Sequence, residues 1–350
     1  MEVKALKFGG LTAKRPIVQG GMGVGVSLSS LAGNVAKCGG IGTISGVHPG
    51  YKEADFKENP FRANLRAIGN ELEKAKEIAN GGIIGFNFMT VMNHYEEYVK
   101  EAIGAGADFI VSGAGLPVNL AKYAAGTRAA ILPIVSSARA LKLIVKQWQR
   151  ADRLPDAVVV EGPLAGGHLG YPYGHLVDGT FDTLEDSLVD VVDYVRELEE
   201  KNDVKIPVIA GGGVRSHADM ERLMALGASG VQVGTKFVAT EECDAAPAFK
   251  QAYLRSRKED VQLIESPVGL AARAIRNSFL EKVEKQGRIP VQRCYQCMNH
   301  CKQAETKYCI SQALIDAVQG REGLVFCGAN AYEIEKLSTV EKVMQELCGE

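Results

Sequence analysis

Nothing in the 350-residue chain approaches the roughly 20 consecutive apolar residues that a membrane-spanning helix requires. An excess of either charge is also missing. The 40 Lys and Arg set against 42 Asp and Glu leave a formal net charge of −2. No global field therefore draws the chain to nucleic acid or to an anionic membrane surface. The opening residues, MEVKALKFGG, have no apolar core of a secretion signal, which reads as a cytoplasmic chain. There is no repeat of fixed period and no linker long enough to separate independent domains. The dinucleotide-binding spacing G-x-G-x-x-G is absent too, since the first glycine-rich turn reads GGMGVGVS.

What is present is a rhythm. Short, nearly continuous apolar runs occur at Pro16–Met22, Gly40–Ser45, Gly82–Met89 and Asp108–Gly115. Four more follow at Ala129–Ser137, Asp156–Gly162, Ile206–Val214 and Gly230–Val238. Runs without clean alternation suit parallel strands covered on both faces. Between most of them lie segments of helical spacing, among them Pro60–Asn80, Ala138–Ala151, Ser187–Lys201 and His217–Gly227. Eight strand-then-helix units predict an α/β fold, a TIM-type (β/α)8 barrel over residues 1–256. A doubly wound parallel sheet is the alternative, and it would want the missing dinucleotide turn. After about Arg257 the rhythm stops. Residues 257–350 read as a small cysteine-rich cap organised by a metal, with a last helix near Val340–Leu347.

The 39 glycines gather at the ends of apolar runs. Such barrels place their sites at the C-terminal ends of the strands. Bare backbone there, at Gln19–Gly23, Ser112–Gly115, Ser136–Ser137, Gly211–Gly213 and Gly234–Thr235, lets a large flat ligand lie across the mouth. The loops after the last two strands and the helix N-terminus that follows form the usual phosphate site of this fold. Asn87 is a polar residue in the apolar run GFNFM. A buried amide without a partner costs about 1–3 kcal/mol, so Asn87 either satisfies local backbone or bonds a cofactor ring or side chain.

His168, in EGPLAGGHLG, closes the sixth run among three glycines. An imidazole titrates near neutrality and can remove a proton at physiological pH, and the bare backbone lets a substrate approach it. His48, His94, His175, His217 and His300 have no comparable setting and read as surface or core residues. Four of the eight cysteines, Cys294, Cys297, Cys301 and Cys309, give C-x2-C-x3-C-x7-C. That density predicts a metal, with a 4Fe-4S cluster favoured over zinc. His300 is a substitute ligand in the zinc case.

Taken together, PIVQGGMG, GFNFM, IVSSARAL, VEGPLAGGHLG, IPVIAGGGV and ASGVQVGTKFVAT resemble the successive strand-end motifs of the nitronate monooxygenase family. That family is also called 2-nitropropane dioxygenase-like, and enoyl-acyl-carrier-protein reductase II is its relative. The resemblance covers about residues 8–240 and implies a barrel that binds FMN. It implies that Gly21, Met22, Asn87, Ser136, Gly167, Gly212, Gly213, Gly234 and Thr235 contact FMN and that His168 is the catalytic base. SPVGLAARAI, the four cysteines and REGLVFCGAN resemble a flavin plus 4Fe-4S subgroup that acts on acyl chains held by acyl carrier protein. The implied activity is flavin oxidoreduction of a nitronate, or of an acyl thioester in fatty-acid synthesis. Candidate partners are the small-molecule substrate, an acyl carrier protein docking on Arg255–Lys258, Arg273 and Arg276, and a second copy of the chain. A flavin and cluster redox sensor is the reading from another class, and it needs no base.

Overall fold

The computed structural model describes residues 4–298 and 301–350. The chain begins with an antiparallel hairpin, β1 (Leu6–Phe8) and β2 (Leu11–Ala13). Eight parallel strands then close a barrel. They are β3 (Ile17–Gln19), β4 (Ile41–Ser45), β5 (Ile83–Met89), β6 (Phe109–Gly113), β7 (Ala130–Val135) and β8 (Val158–Glu161). After β9 (Gly167–Leu169), which leaves the barrel, β10 (Val208–Gly211) and β11 (Gly230–Val233) complete it. The order is β3-β4-β5-β6-β7-β8-β10-β11, and β11 returns to pair with β3. All eight strands fall inside the apolar runs.

The period of two along each strand sorts its side chains into two cores. Val18, Ile41, Ile83, Val111, Leu132, Val159 and Ile209 point into the barrel. Ile17, Ile84, Ile110, Ile131, Val158, Val160 and Ala210 point outward to the helices. Leu6, Phe8 and Ala13 join the inner set near the strand starts, so the hairpin stoppers the N-terminal end of the barrel. Trp148, the single tryptophan, ends the helix Ala138–Trp148 fully buried, with Nε1 donating to the Pro117 carbonyl at 2.8 Å. Trp148→Ala is expected to cost about 3–5 kcal/mol of stability, read as a lower denaturation midpoint.

The C-terminal segment, expected as a cysteine-rich cap, has a small sheet of its own. Its framework is an antiparallel hairpin, β12 (Val261–Glu265) and β13 (Ala271–Ile275), which takes β9 as a third strand. Helices Ser278–Gln286 and Ile310–Val318 cover it, and Phe279, Val283, Leu314 and Val325 belong to the barrel's outer core. Apolar burial therefore holds the cap to the barrel. The last helix, Val340–Cys348, packs back on the barrel helices, where His217 Nδ1 lies 2.9 Å from the Leu347 carbonyl. Among the described residues no helix is long and apolar enough to cross a membrane.

Candidate active site

The alternation that builds the barrel also aims its strand ends. Ile83 faces inward, so Asn87, four residues on, shares that face at the open end. By the same count Ser136 follows Leu132 and Ile134, Glu161 follows Val159, and Gly211 follows Ile209. Asn87, Ser136 and Glu161 line one cavity of about 910 Å3 at the C-terminal mouth, and the turn after Gly211 joins them. Gly21 and Met22 enter it from β3, Gly212 and Gly213 from β10, Gly234 and Thr235 from β11, and Gly167 with His168 from β9. The residues named from the sequence as cofactor contacts thus share one chamber, roofed by Leu314, Leu324 and Phe326 of the cap.

Gly212 and Gly213 have φ of +101° and +87°, so the turn after β10 asks for glycine on backbone grounds alone. Gly21 is bare for a steric reason. A Cβ there would collide with the Asn87 Cβ and come within 3.0 Å of its Cγ. The Asn87 amide lines the chamber and has no protein partner among the described residues. An unpaired amide facing a chamber has its hydrogen bonds available for a ligand.

Of the two helix N-termini after the last strands, the short helix Thr235–Val238 opens at Gly234 without a side-chain cap, whereas the one after β10 is taken. Helix His217–Ala225 opens under a reciprocal cap of Ser216 and Asp219, and Asp219 also accepts the Arg215 N–H at 3.0 Å. The glycine-rich side remains, where the Thr235 hydroxyl oxygen accepts the Gly328 N–H of the cap at 3.1 Å.

His168 sits on β9 opposite Ala272 of β13, with Nε2 2.8 Å from the Ser266 hydroxyl. The Phe326 ring stands edge-on to it at 5.0 Å. Burial disfavours the imidazolium and pushes its pKa down to about 4. The ring is therefore neutral near pH 7, with a lone pair ready to take a proton.

Sequence reading missed Glu161. It lies at the end of β8, lines the chamber, and desolvation pushes its carboxyl up to about 7. The other charged groups of the wall are engaged. Arg215 meets Glu333 at 3.0 Å, Lys236 meets Glu346 at 3.0 Å, and Glu265 meets Lys307 at 3.6 Å. Glu161 has no ion-pair partner among the described residues. The signal was available, because Glu161 stands two residues after Val159 and on its face.

Two expectations need correction. Arg273 is not part of an exposed basic rim; it is 8% exposed and its Nη1 donates to the Ala165 carbonyl. The four cysteines do line one small cavity, of about 20 Å3, beside Tyr295 and Tyr308. Among the described residues, however, no three His, Cys, Asp or Glu side chains stand close enough to hold a metal. Burial raises the Cys297 thiol to about 11. His300, the substitute zinc ligand, lies outside the described residues. The loop is pinned to the barrel mouth by the Asn93 N–H, which donates to the Cys297 carbonyl at 3.1 Å.

Comparison with known proteins agrees with this geometry. The family description "Nitronate monooxygenase" matches residues 4–350. A Staphylococcus saprophyticus protein named "Probable nitronate monooxygenase" is 25% identical over 309 residues, 81% of this chain and 82% of its own. A Staphylococcus haemolyticus protein of the same name reaches 35% over 136 residues, 39% of this chain and 36% of its own. Among solved structures, FabK from Thermotoga maritima superposes with a TM-score of 0.71 at 24% identity, covering 96% of this chain and 92% of its own. A nitroalkane oxidase from Streptomyces ansochromogenes gives 0.66 at 20%, covering 96% and 95%. These two likenesses speak to the fold. The match along nearly the whole chain speaks to descent: the chain belongs to the nitronate monooxygenase family of flavin-dependent oxidoreductases.

Proposed function

We propose that the protein is an FMN-dependent oxidoreductase whose substrate carries an acidic α-C–H, or is the anion formed from one, a nitronate being the first choice. The observation that carries this is the convergence of His168 and the bare strand ends on one chamber with the unpaired Asn87 amide. At about 910 Å3 the chamber lies near the top of the range for ligand pockets, room for a cofactor and a substrate together. The residues fit FMN. A flat group can lie on Gly21, Gly212 and Gly213, with Asn87 bonding its polar edge and Gly234 and Thr235 beside its phosphate. When bound, FMN supplies the acceptor of a hydride or of electrons at N5.

The chain supplies the rest. Neutral His168 takes the α-proton at its imidazole. Below about pH 7 Glu161 is uncharged and leaves the chamber free of an unpaired negative charge. The cap residues Leu314, Leu324 and Phe326 keep water from the reacting atoms.

A second reading keeps the chemistry and changes the substrate to an acyl thioester presented by a carrier protein. The feature that favours it is an apolar lip, where Leu116, Leu164 and Tyr173 line the chamber while staying 41%, 44% and 37% exposed. Anaerobically purified protein is expected to show flavin absorption bands, and metal analysis of the same sample shows whether the four thiols close on an ion. Turnover of nitroalkanes and nitronates, measured against acyl-carrier thioesters, chooses between the substrates. A colourless protein that binds no added FMN rules out the whole reading.

A further inference from the structure

We propose that Ser266 is the positioning residue of His168. Its hydroxyl oxygen accepts the Nε2–H of the imidazole and leaves Nδ1 as the nitrogen that takes the substrate proton. The proposal rests on reading His168 as the base.

His168 is not held by the barrel that surrounds it. Its strand, β9, pairs with β13 alone, placing Gly167 opposite Arg273, His168 opposite Ala272 and Leu169 opposite Ala271. Position along and across the strand is therefore set by the cap. The Arg273 guanidinium fastens the approach to β9 by donating to the Ala165 carbonyl, and the Phe326 ring edge bears on the imidazole. These contacts leave rotation about the side-chain bonds to be settled, and the hydrogen bond to Ser266 settles it.

The hydroxyl is itself fixed. Ser266 opens the turn between β12 and β13, where its N–H donates to the Leu270 carbonyl at 2.9 Å. Its own carbonyl accepts the Gly269 N–H at 2.9 Å, with Gly269 at φ +80°. The residue is 5% exposed. A hydroxyl oxygen has two lone pairs. The Val268 N–H reaches one at 3.4 Å, and Nε2 lies 2.8 Å away for the other. With Nε2 carrying the hydrogen, Nδ1 keeps its lone pair and has no protein partner among the described residues. The reverse tautomer would present Nδ1–H to the substrate, a donor unable to accept a proton. On proton uptake the Nε2–H bond to Ser266 becomes charge-assisted and strengthens.

The test uses the FMN-loaded enzyme, its Ser266→Ala and Ser266→Thr variants, and His168→Ala. Nitrogen-15 NMR with labelled histidine, assigned by the signals lost in His168→Ala, reads the tautomer directly. The wild type is expected to show His168 protonated at Nε2. Ser266→Ala is expected to average the tautomers and to lower kcat about 10- to 100-fold with KM little changed, as for loss of a bond to a charged group. Ser266→Thr keeps the hydroxyl and is expected to restore both. A wild-type Nδ1–H tautomer, or an unaltered kcat in Ser266→Ala, overturns the proposal. If Ser266→Ala does not fold, the wild-type spectrum and Ser266→Thr decide. Full turnover by His168→Ala instead overturns the reading of His168 as base, while the wild-type spectrum still judges the hold of Ser266.

Discussion

Replacing His168 by alanine is expected to leave a folded protein that still binds FMN, while turnover of a neutral nitroalkane falls by about 10²–10⁴-fold. Folding survives because the strand ladder of β9 to β13 is backbone and does not need the ring. FMN binding survives because the proposed contacts come from five other strand ends and from Gly167. The loss concentrates in kcat with substrates that must give up an α-proton. A preformed nitronate has already lost that proton, so the variant should lose far less with it, and comparing the two substrates isolates the proton transfer. The pH profile adds an independent check. Burial holds the free imidazole near 4, below its ordinary 6.5, so the base is available throughout the neutral range. The acid limb of kcat/KM that belongs to His168 should therefore appear near pH 4, and a limb near 6.5 would contradict the buried placement. Wild-type turnover by the alanine variant with a nitroalkane would remove His168 from the mechanism.

The barrel was legible because parallel strands covered on both faces leave an unbroken apolar signature. Each of the eight runs contains an observed strand, and the helices Pro60–Ala79, Ala138–Trp148 and Leu184–Asn202 fall within or overlap the helical patterns. The chamber was legible at its glycines for the same reason: a strand that ends in glycine is conspicuous beside apolar neighbours. Glu161 is masked in the sequence by the more conspicuous glycines that follow it, although its place on the inward face follows from alternation alone. The cap was harder to read. β9, β12 and β13 are short, and their pairing joins residues about a hundred positions apart. No local pattern announces that Gly167–Leu169 belongs to a sheet with Ala271–Ile275, so the cap's hold on His168 could not be read from EGPLAGGHLG. The cysteine spacing pointed to a metal, and the described thiols share a cavity without forming a site.

Glu161→Gln is expected to abolish an alkaline fall in kcat/KM that the wild type shows with nitronate substrates. Desolvation raises the carboxyl from an ordinary 4.5 to about 7, so it is neutral below that value and ionised above it. Among the described residues the wall offers no free cation to compensate, since Arg215 and Lys236 are engaged by Glu333 and Glu346. Above about pH 7 an anionic substrate therefore shares the chamber with a second negative charge. At an effective dielectric near 20, like charges about 8 Å apart repel by about 2 kcal/mol, roughly a 30-fold change in affinity. The penalty should fall mainly on KM and spare a neutral substrate. The same shift acts on stability with a definite sign. Between pH 4.5 and about 7 the folded protein keeps the Glu161 proton that the unfolded chain has released, so this group's contribution declines as pH rises through the window. Glutamine cannot ionise and removes both dependences together. Kinetics with a nitronate and a neutral substrate from pH 6 to 9, set beside denaturation midpoints of the two proteins, test the pair. An alkaline fall that survives Glu161→Gln would mean that another group carries the charge. The neutral substrate separates an effect on substrate binding from one on the flavin, because repulsion between anions cannot act on it.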